Sequence, residues 1–188
     1  MTDELTGVEG ASLVRLARAA IEDRLERRGR LAAARESIEL TDGLAAPRSV
    51  FVTLFSVSDG ARTLRGCIGS MESSAPAVEA VVDAAIHAAF HDPRFTPLTV
   101  EEYPTVAVLV SALSPPSPVE SVESIVPGEH GVSLEHPRGR SVFLPEVAAE
   151  HGWTRDQLLA QLCLKASLPE GAWREGRLFA FRSQKFGG

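Results

Sequence analysis

Ser49-Val-Phe-Val-Thr-Leu-Phe-Ser56, then Ser58-Asp-Gly60, then Thr63-Leu-Arg-Gly-Cys-Ile-Gly-Ser70 read in succession as a strand, a tight turn and a returning strand. The first segment is rich in β-branched and aromatic residues, which fit a half-buried pleated surface. Asp59-Gly60 supplies hairpin-turn chemistry. The returning strand spans Thr63 to Ile68, so the spacing places a glycine–cysteine turn at its exit. There, Gly66 and Gly69 would let backbone amides approach a ligand or take positive φ. Arg65 offers a planar fork suited to a carboxylate or phosphate. Cys67 lies two residues from that cation, and positive charge favours thiolate. One reading is thus an anion-binding turn carrying a reactive sulfur. The other is a strand end in which Cys67 is a small packed hydrophobe.

Outward from this hairpin, residues 9–28 show an amphipathic helical pattern. Leu13, Leu16, Ala17, Ala20, Ile21 and Leu25 face in, and Gly29 marks the end. Arg27-Arg28-Gly29-Arg30 reads as a solvated basic face, and 31–47 as an irregular connection. Pro76 opens a second helix whose stripe is Val78, Val81, Val82, Ala85, Ile86 and Ala89. It stops before Pro93, because a residue preceding proline avoids the α region. An apolar strand, Val106 to Leu113, follows.

Ser114-Pro-Pro-Ser-Pro118 reads as a stiff crossing between lobes of a single domain covering 1–188. Residues 129–135 and 141–144 form a second hairpin around Pro137-Arg-Gly139. A short helical segment begins at Pro145 and runs to Glu150. The last helix starts at Thr154, which forms a capping box with Gln157. Its inner face carries Leu158, Leu159, Leu162 and Cys163. Gly171 to Trp173 reads as a loop, and Leu178 to Ser183 as a closing strand. Helices and strands are interspersed and both hairpins are antiparallel. The predicted fold is α+β, an α/β sandwich with a mixed or antiparallel sheet and flanking helices.

Composition sets bounds. The chain has 188 residues, 44% apolar, with a formal net charge of −6. The acidic balance argues against a general nucleic-acid binder. Two cysteines without metal-type spacing point to a reducing cytosol, with no disulfide and no zinc site. No stretch approaches membrane-spanning length, and the first five residues lack a signal pattern. No phosphate loop of the Walker type, dinucleotide fingerprint or ordered Ser-His-Asp set is present, so the residues name no cofactor.

Four ordered segments carry a family resemblance. Leu64-Arg-Gly-Cys-Ile-Gly69 resembles the hexapeptide signature of the AMMECR1 domain family, the A component of the AmmeMemoRadiSam system. Ala89-Phe-His-Asp-Pro-Arg-Phe-Thr-Pro-Leu98 resembles its Asp-Pro-Arg-Phe element. Glu129-His-Gly-Val132 with Phe143-Leu-Pro-Glu-Val147 resembles its second-lobe hairpin. Leu162 to Leu168 with Trp173 resembles its C-terminal helix and loop. The match covers roughly Leu13 to Phe186. Two positions depart: Ser167 stands where the family often has glycine, and His91 occupies a variable position.

The resemblance implies two unequal lobes around a cleft, with the hexapeptide near it. It also implies work beside a Memo-like protein and a radical SAM protein. On the enzyme reading Cys67 is the nucleophile, Arg65, Gly66 and Gly69 stabilise an anion, and His91 or His130 is the base. On the binding reading the same groups hold a small anionic ligand or a partner segment, and Cys67 packs. Arg94 then holds Asp92 or a ligand carboxylate, or the two form a helix-end cap with a salt bridge. Glu146 is either a cleft carboxylate or a favourable first-turn charge.

Overall fold

The computed structural model describes residues 4–26, 28–71 and 74–188. Arg27 of the basic run lies outside them. The chain divides into two compact units, one of Met1–Leu113 with Gln184–Gly188 and one of Ser114–Ser183. Among the described residues no helix is long and apolar enough to cross a membrane.

The first unit begins with helix α1 (Gly7–Glu26), which buries Leu13, Leu16, Ala17, Ala20 and Ile21. Thr6 and Glu9 cap its start reciprocally: Thr6 N donates to Glu9 at 2.7 Å and Glu9 N donates to Thr6 Oγ1 at 3.2 Å. The expected connection over 31–47 instead holds α2 (Arg30–Glu36) and α3 (Asp42–Ala45). The run Leu31-Ala-Ala-Ala34 has high helix propensity, and Thr41 caps α3 by accepting from Leu44 N. Gly29, with φ 67°, is the N-cap of α2 and does not end α1.

Next come β1 (Val50–Ser58), β2 (Ala61–Gly69), α4 (Ala77–Phe90) and β3 (Val106–Leu113). β1 pairs antiparallel with both β2 and β3. Alternation along β1 buries Val50, Val52 and Leu54, on which α1 and α4 build the core. Phe51, Thr53 and Phe55 point to the other face and are half-buried. β2 is an edge strand.

In the second unit, β4 (Ser117–Pro118) takes up part of the stretch expected to be only a spacer. Proline suits so short an edge strand. β5 (Gly131–His136) and β6 (Gly139–Phe143) form the expected hairpin, followed by α5 (Pro145–Glu150). α6 (Arg155–Lys165) begins with the Thr154–Gln157 capping box. Leu158, Leu159, Leu162 and Cys163 are all buried beneath it. Its end is a Schellman motif: Leu168 N donates to Cys163 O at 2.8 Å and Ser167 N to Leu164 O at 2.9 Å. Ser167 therefore takes φ 58°.

A 3₁₀ turn at Ala172–Glu175 replaces the expected loop. β7 (Arg177–Phe181) then pairs with β4 and β5. The sequence reading missed β8 (Ser183–Gly187), which returns to the first unit and closes its sheet in the order β2-β1-β3-β8. Its Ser-Gln-Lys-Phe-Gly composition carries little strand signal. The fold is α+β, as the pattern predicted.

Candidate functional site

The hexapeptide is not a turn. It lies within β2, which runs extended to Gly69, and neither Gly66 nor Gly69 has positive φ. The glycines are required by the close approach of the chain's own backbone. A Cβ on Gly66 would stand 2.2 Å from Ala88 O of α4, and one on Gly69 would stand 2.4 Å from Val50 O. Gly66 thus lets α4 lie directly on the strand.

The β1–β2 register pairs Leu54 with Gly66 but Phe55 with Leu64, which leaves Arg65 as the extra residue of a β-bulge. A bulge re-aims a side chain. Here the residues before Arg65 on the strand are exposed, whereas Arg65 itself is buried. Its guanidinium pairs with Glu102 through two contacts, Nε to Oε1 at 3.2 Å and Nη2 to Oε2 at 3.1 Å. It also donates to Thr96 O at 2.9 Å. Arg65 holds the Glu102 carboxyl below its usual range, against the opposing effect of burial. Glu102 is further fixed by a capping-box exchange with Thr99.

Cys67 sits on the outer edge of the sheet, so its N–H and C=O would be unpaired. Both are taken. Cys67 N donates to Asp92 Oδ2 at 2.9 Å, and Arg94 Nη2 donates to Cys67 O at 3.2 Å. Asp92 comes two residues after the end of α4, and its side chain is 1% exposed. Arg94 grips it from both sides, Nε to Oδ1 at 2.9 Å and Nη2 to Oδ2 at 2.7 Å. These bonds, then the Cys67 and Arg94 amides, hold the Asp92 carboxyl well below the usual carboxylate range, although burial opposes them. Phe95 lies beneath both cations, 5.8 Å from the Arg65 guanidinium carbon and 5.5 Å from that of Arg94.

The half-buried Cys67 side chain faces away from α4, where Thr53 Oγ1 donates to its Sγ at 3.2 Å. Thr53 and Cys67 are direct cross-strand partners, and Leu109 of β3 flanks Thr53 on its other side. Arg94 is also held charged by Asp92 first and, more weakly, by its electrostatic interaction with Cys67.

Arg65, Gly66, Cys67, Asp92 and Arg94 thus come together in the first unit. His91 is exposed and meets the His87 ring, not the thiol. His130 belongs to the second unit, where its Nδ1 accepts from Val126 N at 3.1 Å and closes its own turn. Glu146, also in that unit, is half-buried in the first turn of α5. Among the described residues no group of three metal-ligating side chains is arranged to hold a metal. Sequence reasoning missed Glu102 and Thr53. Thr99-x-x-Glu102 was the available signal for the first, because it is a capping-box pattern.

Comparison with known proteins agrees with this architecture. The AMMECR1 family model matches residues 14–186. A Thermofilum pendens protein is 40% identical over 96% of this chain and 89% of its own length. Protein MJ0810 of Methanocaldococcus jannaschii is 40% identical over 97% of this chain and 91% of its own. The crystal structure of uncharacterized protein PH0010 from Pyrococcus horikoshii superposes with a TM-score of 0.73 at 36% identity, covering 94% of this chain and 90% of that one. The chain belongs to the AMMECR1 family.

Proposed function

We propose that the chain is an accessory subunit that docks a Memo-like or radical SAM partner through the half-exposed sheet face around Cys67. The supporting observation is charge compensation. Arg65 is engaged by Glu102, and the Cys67 amide by Asp92, which Arg94 holds in place. The groups that would bind an exogenous anion thus bind carboxylates of the chain itself. On this reading they are scaffolding that fixes the edge strand and presents Phe51, Thr53, Phe55, Cys67 and Leu109 as a surface. A small anionic ligand is left with Arg94, whose side chain is 53% exposed. Two free thiols are in keeping with a reducing cytosol.

A nucleophilic Cys67 is the second reading. Its half exposure favours it.

Co-purification tests the first reading. The tagged chain is expected to retain the host's Memo-like or radical SAM protein, and Thr53→Arg or Phe55→Arg to lose it while keeping the native circular dichroism spectrum. Equal retention by wild type and both variants, or turnover of a small molecule by the isolated chain at full rate, would contradict it.

A further inference from the structure

His87 and His91 stand one helical turn apart at the end of α4, both exposed, with ring centroids 5.3 Å apart and planes inclined by 52°. His87 Nδ1 lies 2.8 Å from the carbonyl oxygen of Asp83. A carbonyl can only accept, so Nδ1 carries a proton, and in the neutral ring Nε2 is then the nitrogen with the lone pair. A backbone carbonyl on one ring nitrogen, with the other left free, is how proteins orient imidazoles toward a metal.

We propose that His87 and His91 form an open two-imidazole site for a divalent transition ion of the zinc, nickel or copper class. A metal bound at about 2.05 Å from an imidazole nitrogen lies roughly 3.2 Å from the ring centroid. Two centroids at the observed 5.3 Å then subtend about 110° at the metal, near the tetrahedral angle. His87 is held by Asp83 O, and the exposed His91 ring is the one that can turn a nitrogen toward that point. No third protein ligand joins them among the described residues. Both rings are exposed, so solvent water can complete the coordination. Imidazole donors suit these ions, whereas magnesium and calcium prefer oxygen. The site needs neither Cys67 nor a partner, so it stands apart from the docking reading.

Calorimetric titration of the full chain with zinc chloride, and separately with nickel chloride, tests it. Saturable binding of one ion per chain is expected. His87→Ala and His91→Ala should each weaken it at least about tenfold, while His151→Ala, at the exposed end of α5 in the second unit, leaves it unchanged. All variants should keep the wild-type melting temperature in metal-free buffer, since both rings are exposed. No saturable binding by the wild type, binding that survives in the double variant, or loss in only one of the two single variants would overturn the site.

Discussion

Asp92 Oδ2 accepts the backbone N–H of Cys67 at 2.9 Å, so a buried carboxylate from the end of one helix caps the outer edge of the sheet. Arg94 donates to that carboxylate and to the carbonyl of Cys67 as well. One ion pair therefore satisfies both backbone groups of a single edge residue.

This pair is expected to make the first unit sensitive to acid. The Asp92 and Glu102 carboxyls are lowered from ordinary values of 3.8 and 4.5. Groups with depressed folded values stabilise the fold fully above the unfolded values, and that stabilisation is lost as pH falls toward the folded ones. The urea midpoint should thus drop as pH is lowered from 6 to 3. Asp92→Asn should be destabilised by about 1–3 kcal/mol at pH 7 and show a shallower acid slope. An unchanged slope would remove Asp92 from the account.

Gly66 is required by packing, so Gly66→Ala should be costly. Its Cβ would stand 2.2 Å from Ala88 O, and a helix backbone does not yield easily. Chemical denaturation should show a loss of about 1–3 kcal/mol or more. A neutral substitution would mean that the glycine serves a ligand.

Arg65 and Glu102 should be energetically coupled. Removing Arg65 is expected to lower the melting temperature, because the guanidinium is buried against Glu102, Thr96 and Phe95. A double-mutant cycle of Arg65→Ala and Glu102→Ala should give a coupling of about 0.5–3 kcal/mol. Additive losses would show that the bidentate pair does not support the fold.

At Ser167 an unstrained residue is expected to improve on the native one. It takes φ 58° at the end of α6, the position that a Schellman motif usually gives to glycine. Ser167→Gly should raise the stability of the second unit by about 0.5–1 kcal/mol by thermal denaturation.

The hairpin, the long helices and the Thr154–Gln157 cap were legible because period and capping chemistry are local. β8 was not, since an edge strand with Phe186 as its one apolar side chain is held by its neighbour and not by its own propensity. The motif's two glycines suggest a turn, yet the chain stays extended through both. Glycine suits positive φ and close approach equally, and only the tertiary position of Ala88 decides between them. Arg65 is a fork by its chemistry, but its partner lies 37 residues away at Glu102, which no local pattern reveals. Two further capping boxes, Thr6–Glu9 and Thr99–Glu102, follow the same local pattern.

Asp92 and Arg94 hold the backbone of Cys67, and Glu102 holds Arg65 beside it, which on the proposed docking reading leaves the Cys67 face for a partner. Alkylation of the two thiols at neutral pH, followed by mass spectrometry, tests it most directly. Cys67 should label well before Cys163, which is 0% exposed. Adding the purified Memo-like or radical SAM protein should slow Cys67 at least about tenfold and leave Cys163 unchanged. Cys67 labelling no faster than Cys163, or at the same rate with and without both partners, would contradict the account.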